Sequence, residues 1–108
     1  MNAKFETVNA IFESMKADRF PIDEVLKWNF FFLDSSKSNL RKIYNELRAY
    51  GYKLETLEQI DSSCFRMCVS KAEKLNPEKL HRRNVAFNEL AEYYNVHLYD
   101  GWDVERLV

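Results

Sequence analysis

The chain has 108 residues, of which 46% are hydrophobic and 31% are charged. This length suits a single domain, which we place at residues 1–108, and the composition supports a packed core and argues against disorder. With 16 basic and 17 acidic side chains, the net charge of -1 provides no overall attraction to nucleic acid or to an anionic membrane. Because no apolar run is typical of a signal peptide or a membrane helix, we expect a cytoplasmic protein.

The first segment predicts an amphipathic helix over residues 3–17, within an N-terminal unit at 1–18. Its apolar residues recur at helical spacing: Phe5, Val8, Ile11, Phe12 and Met15. A break at 18–21 separates this helix from the rest of the domain, which we place at 28–108.

The aromatic run from Trp28 to Leu33 is the strongest strand prediction in the chain. Its even-numbered residues point to one face, whereas Phe31 and Leu33 point to the other. Since both faces are apolar, the strand should be central and covered, at least in part, on both sides. The N-terminal helix, or a second copy of the chain, is the expected cover for the second face.

The remaining segments alternate between helical and strand periodicity. They are a helix capped by Ser35 or Ser36 and ended at Gly51, strands at 52–60 and 64–71 joined by a turn, a helix that begins at Asn76-Pro77-Glu78, and a last strand at 96–104. The order βαββαβ after an N-terminal helix predicts an α+β fold. We expect a ferredoxin-like α/β sandwich, in which both core helices cover one face of a four-stranded antiparallel sheet.

The most specific local pattern is Tyr99-Asp100-Gly101-Trp102 in the last strand. A glycine inside a strand marks a bulge or a close backbone approach. We therefore expect Gly101 to lie in a strand distortion where a Cβ would be costly, either because φ is positive or because a neighbour is close. At least one ring, from Tyr99 or Trp102, should be largely buried. Asp100 should accept a local backbone hydrogen bond. A role in contacting a partner would be secondary to this structural role.

The histidines and cysteines predict no catalytic or metal site. His81, on an expected exposed helix face, and His97, at the start of the last strand, have no acid or cysteine at a ligand spacing. Cys64 and Cys68 should lie on one face of one strand, about 13 Å apart, which is too far for a disulfide. We expect two free thiols.

Two further patterns concern charged partners. Lys79, Arg82 and Arg83 share a helix face, where an acidic or phosphate-bearing partner could dock, although most such clusters are only solvated. The strand at 64–71 has one aromatic residue and no glycine, unlike the base-stacking strand of an RNA-recognition domain. Direct nucleic-acid binding is therefore not expected.

Most of the chain resembles the regulator of ribonuclease E activity B family (RraB), the ribonuclease E inhibitors. Four features carry this resemblance: the aromatic strand that ends at Asp34, the helix that runs into Gly51-Tyr52, the helix with Asn76-Pro77-Glu78 at its start and Leu90-Ala91 near its end, and Tyr99-Asp100-Gly101-Trp102 after the last helix. The resemblance implies a ferredoxin-like fold, no enzymatic activity, and regulation by binding a protein, either a ribonuclease or its assembly. In its near-neutral charge the chain departs from the strongly acidic inhibitors of that family.

The sequence therefore favours a non-catalytic, protein-binding regulator with no cofactor and no metal. A ferredoxin-like domain that binds a small ligand or nucleic acid is the alternative, and homodimerisation stays open. A deep polar pocket would favour a small ligand, whereas a flat apolar patch rimmed by charge would favour a protein. The candidate partner-binding residues are Tyr99, Asp100, Gly101, Trp102, Lys79, Arg82 and Arg83.

Overall fold

The computed structural model describes residues 4–107, and their secondary structure follows the predicted order. The elements are α1 (Phe5–Ala17), β1 (Leu26–Asp34), α2 (Lys37–Leu47) with a 3₁₀ turn (Arg48–Tyr50), β2 (Lys53–Asp61), β3 (Cys64–Glu73), α3 (Pro77–Tyr93) and β4 (Leu98–Glu105). Ser36 and Asn76 cap the two core helices, each accepting a hydrogen bond from a backbone N–H of the first turn. Residue 3 of the predicted first helix, and residues 1, 2 and 108 of the predicted domain, lie outside the described residues.

The four strands form one antiparallel sheet in the order β2-β3-β1-β4. β1 is central, as its aromatic sequence requires, and pairs with β3 on one side and β4 on the other. This arrangement is the ferredoxin-like α+β fold, so the predicted fold class is confirmed.

The hydrophobic core lies between one face of the sheet and the helices. Phe30 and Phe32 of β1 are fully buried, and both rings contact Phe87 of α3, with centroid distances of 5.0 and 5.5 Å. From α2, Leu40 and Ile43 complete the same core. The alternation predicted for β1 is therefore correct.

Helix α1 packs beside α3 in this same helical layer. Val8 and Phe12 are 1% and 3% exposed, and the ring of Phe12 stacks on Trp28 with a centroid distance of 5.9 Å. Phe5 lies 5.7 Å from the ring of His81 on α3. The predicted burial of the apolar stripe of α1 is confirmed for Val8 and Phe12, whereas Phe5 and Met15 are half-buried and Ile11 is exposed. The predicted exposure of His81 was wrong, because His81 is half-buried against Phe5 of α1.

Of the two covers expected for the second face of the sheet, the N-terminal helix does not lie there. Because α1 packs against Trp28, it lies on the opposite side of the sheet from Phe31 and Leu33. The apolar surface that attracts it is at the β4 edge, where the ring of Trp102 lies 5.6 Å from Trp28. Among residues 4–107, no helix covers the second face of the sheet. We call this second face the open face.

Buried Asp34 joins three elements at the end of β1. Its carboxylate accepts hydrogen bonds from the backbone N–H of Ser36 at 3.0 Å, from the Asn39 side chain at 3.3 Å and from the backbone N–H of His97 at 2.9 Å. It therefore ties the end of β1 to the start of α2 and to the segment that leads into β4.

Candidate protein-binding surfaces

The predicted glycine-dependent distortion is present in β4. Tyr99 and Gly101 pair with consecutive residues of β1, so Asp100 is the extra residue of a β-bulge. Gly101 has a φ of 100°, a conformation that side chains with a Cβ rarely adopt. The predicted distortion is confirmed, and of the two causes expected for it the positive φ is the one present.

The bulge brings two aromatic residues of β4 to the core side of the sheet. Tyr99 is 1% exposed and its hydroxyl donates a hydrogen bond of 2.5 Å to Asn84, while burial raises the pKa of the phenol. Trp102 is half-buried against Trp28. The exposed side chain of Asp100 accepts no hydrogen bond from the described part of the chain, so that detail of the prediction was wrong.

The basic residues of α3 are only partly available to a partner. Arg83 is half-buried and holds Glu73 with two hydrogen bonds of 2.6 and 2.9 Å. Arg82 is exposed and lies 3.6 Å from Glu78, one helical turn away, a pair of little energetic weight. Lys79 is exposed. The structure thus brings Lys79 and Arg82 to the surface and commits Arg83 to an internal contact.

The open face carries an apolar cluster that was not predicted as a site from the sequence. We call Phe31, Leu33, Arg66 and Leu98 the open-face patch; its three apolar members are half-buried and lie outside the core. The guanidinium of Arg66 lies 4.2 Å from the centroid of the Phe31 ring. Within residues 4–107, this guanidinium has no hydrogen bond or ion pair. Its donors are therefore available to a partner.

Gly101 contributes to the exposure of this patch. It is the β4 residue paired with Phe31, whereas Cys68 is the pairing residue on β3. Because glycine has no side chain, nothing from that position of β4 covers the ring of Phe31. Alternation along each strand gives the face of Phe31 on β1 and of Arg66 on β3, but their contact follows from the register between the two strands.

The neighbouring part of the open face is polar and satisfied internally. The ammonium of Lys27 lies 3.1 Å from Glu55 and 3.2 Å from Glu105, and the Ser70 hydroxyl donates a 2.7 Å hydrogen bond to Glu55. The Ser70 hydrogen bond and Lys27 hold the pKa of Glu55 below its usual range. Hydrogen bonds to Glu55 and Glu105 raise the pKa of Lys27.

The two cysteines are free, as predicted. Cys68 is 7% exposed and its thiol lies 3.9 Å from the side-chain oxygen Oδ1 of Asn29. The side-chain amide of Asn29 in turn donates a 2.7 Å hydrogen bond to the Asp103 carboxylate. Burial, followed by the charge of Asp103, raises the pKa of the Cys68 thiol to about 11. At neutral pH this thiol is protonated and is a poor nucleophile.

Residues 4–107 form neither a metal site nor a membrane-spanning helix. No three histidine, cysteine or acidic side chains there come close enough together to hold a metal ion. Within the same range, none of the helices has both the length and the apolar composition needed to cross a bilayer.

The sequence matches the family model described as Regulator of ribonuclease activity B over residues 6–104. The chain belongs to this family. The match begins in α1 and continues into β4, so the RraB pattern includes the N-terminal helix as well as the ferredoxin-like core. No curated protein matches the chain significantly. The RraB resemblance inferred from the sequence is confirmed, and the chain is a member of a family of ribonuclease regulators.

Proposed function

We propose that this protein is a non-catalytic regulator that binds ribonuclease E and inhibits it by contact. The observation that carries the proposal is the family match, which spans residues 6–104. The near-neutral charge of the chain excludes strong non-specific attraction as the basis of that contact. Binding must therefore depend on a local surface with complementary shape and chemistry.

The surface we assign to the nuclease is the open-face patch. Aromatic and arginine side chains dominate the binding energy of protein interfaces when a partner desolvates them. Phe31 and Arg66 provide both in direct contact, and Leu33 and Leu98 extend the apolar area. The polar network around Lys27 borders this area and is already satisfied, as expected for the rim of an interface.

The residues expected from the sequence have different places in this proposal. Gly101 and Asp100 lie on β4 next to Phe31, and we include them in the contact. Tyr99 is buried and Trp102 packs against Trp28, so both support the strand instead. For Lys79 and Arg82 on α3 we propose an independent contact with an acidic part of the partner.

The alternative is an open sheet face that binds single-stranded RNA. One observation favours it: Phe31 and Arg66 are the side-chain types on which bases stack. The nearby carboxylates of Glu55, Asp103 and Glu105 oppose it, because they repel phosphates.

The test uses the purified chain and the full-length ribonuclease E of the source organism. We expect a saturable complex by calorimetry and slower cleavage of a fluorogenic RNA. Phe31→Ala should weaken binding by roughly 30-fold if it is a hot spot of about 2 kcal/mol. Tyr93→Ala is the matched control, because this aromatic ring is 79% exposed on α3 and lies outside the patch. Each variant is used only after thermal unfolding shows that it is folded.

The outcomes test the proposed function and the assigned binding surface separately. Failure of the wild-type chain to bind or inhibit the nuclease would refute the proposed function. Normal inhibition by Phe31→Ala and Arg66→Ala would refute the assigned surface alone. Binding of the RNA substrate without the nuclease, lost in Arg66→Ala, would establish the alternative. Loss of a dimer in the same variants would assign the patch to self-association.

A further inference from the structure

A cavity of about 350 Å³ opens on the helical layer, between the end of α2 and the middle of α3. Three charged side chains line it, those of Glu46, Lys71 and Arg83, and the remaining lining is apolar or aromatic: Leu47, Tyr50, Tyr52, Ala86, Phe87 and Leu90. The Glu46 carboxylate accepts a 3.0 Å hydrogen bond from the Tyr94 hydroxyl. This volume lies within the range of small-molecule sites, about 300–1,000 Å³. The cavity is on the opposite side of the sheet from the open-face patch.

The cavity has an apolar floor. Leu47, Tyr52 and Phe87 are 5%, 7% and 4% exposed, and the rings of Tyr52 and Phe87 meet edge to face at 5.7 Å. Tyr50, in the 3₁₀ turn that follows α2, is 66% exposed beside this floor. An apolar ligand placed on the floor would therefore also bury surface of Tyr50.

One charge in the cavity is uncompensated. The ammonium of half-buried Lys71 lies 5.2 Å from the centroid of the Tyr52 ring, and within residues 4–107 no carboxylate lies at ion-pair distance from it. By contrast, Arg83 on the same wall is held by Glu73 at 2.6 and 2.9 Å. Lys71 is thus the cation that remains free to bind an anion.

Local backbone geometry positions Lys71. Gly51 has a φ of 90° at the end of the 3₁₀ turn, and Cε of Lys71 lies 3.7 Å from the point where a Cβ on Gly51 would be. The lysine stem therefore runs along the bare backbone of the turn, and its ammonium is placed at the edge of the apolar floor.

We propose that this cavity binds a small organic carboxylate with an aromatic or branched apolar body. The carboxylate would form a charge-assisted hydrogen bond with the Lys71 ammonium. The body would lie on Leu47 and Phe87 and against Tyr50. An anion is the preferred ligand because Lys71 has no ion pair within residues 4–107, whereas the Glu46 carboxylate already accepts a hydrogen bond from Tyr94. This ligand site does not depend on ribonuclease binding.

The test is an NMR titration of the full chain with 3-phenylpropionate, in parallel with 3-phenylpropionamide, the uncharged analogue of the same shape. Saturable shifts of the backbone amides of Gly51, Lys71 and Phe87 are expected with the acid. The amide should bind at least about tenfold more weakly, since a charge-assisted hydrogen bond exceeds a neutral one by about 1.4 kcal/mol or more.

Lysine variants test whether Lys71 is the cation that binds the carboxylate. Lys71→Gln should weaken the acid about tenfold and leave the amide unchanged, whereas Lys71→Arg should retain binding. Lys74→Gln is the matched control, because Lys74 is an exposed lysine outside this cavity. Absence of saturable shifts with the acid, equal affinity for acid and amide, or unchanged acid binding in Lys71→Gln would each overturn the proposal.

Discussion

Replacement of Gly101 by alanine tests the conclusion that the bulge in β4 depends on glycine. The backbone at this position has a φ of 100°, and a residue with a Cβ held in such a region is strained by about 1–3 kcal/mol. The variant could avoid this strain only by removing the bulge. That would shift β4 by one position against β1 and turn Tyr99 or Trp102 away from the core.

Removing the bulge costs more free energy than keeping it with a strained alanine. Tyr99 is 1% exposed and hydrogen-bonded to Asn84, and loss of a buried aromatic ring costs about 3–5 kcal/mol. We therefore expect Gly101→Ala to keep the bulge and to lose about 1–3 kcal/mol of unfolding free energy. For a chain of 108 residues, each kcal/mol lowers Tm by about 4 °C.

The assay is urea unfolding monitored by tryptophan fluorescence, with Asp100→Ala as the control. Asp100 is the adjacent bulge residue, is exposed and has a negative φ, so its replacement should change stability by less than about 0.5 kcal/mol. If Gly101→Ala is as stable as the wild type, or if Asp100→Ala costs as much, the bulge does not require glycine at this position.

Three further predictions concern α1 and the open face. Phe12→Ala should lower the unfolding free energy by about 3–5 kcal/mol in urea titrations, because the ring is 3% exposed against the core; a loss below about 1 kcal/mol would show that α1 is loosely held. Ser70→Ala should raise the pKa of Glu55 toward its usual value, measured by NMR titration of the carboxyl carbon. Because the folded-state pKa of Glu55 is depressed, its stabilising contribution is present above the ordinary carboxyl pKa and is lost as the pH falls through the folded value; an unchanged pKa in the variant would contradict the role of the hydroxyl. At pH 8, Cys68 should react with iodoacetamide more slowly than the less buried Cys64, as measured by mass spectrometry of the two single Cys→Ser variants, and equal rates would contradict the raised thiol pKa.

Sequence periodicity was sufficient for those features of the fold that are local. The alternation of β1 placed Phe30 and Phe32 in the core because a strand has a period of two residues. The glycine at 101 predicted a bulge because few other residues adopt its φ. These features depend on the backbone conformation of one segment, so one segment is enough to predict them.

Features that depend on which surfaces meet could not be predicted in this way. The apolar stripe of α1 indicates that Phe12 must be buried, but the stripe carries no information about which apolar surface receives it. For the same reason, sequence analysis paired neither Phe31 with Arg66 nor Lys71 with the cavity beside α3. The register of the sheet brings Phe31 and Arg66 together, and the packing of α2 and α3 on the sheet brings Lys71 to the cavity.

The position of α1 follows from the cost of covering each face of the sheet. On the open face, α1 would have to bury the ion pairs of Lys27, and removal of such charges from water costs several kcal/mol per ion. On the helical side of the sheet, Phe12 of α1 instead stacks on the ring of Trp28, where burial of an apolar side chain contributes about 1.5–3 kcal/mol. The polar network thus keeps the helix away from the open face. The same network that excludes α1 therefore leaves Phe31 and its neighbours accessible to a partner, and a protein that binds there need not displace any part of the fold.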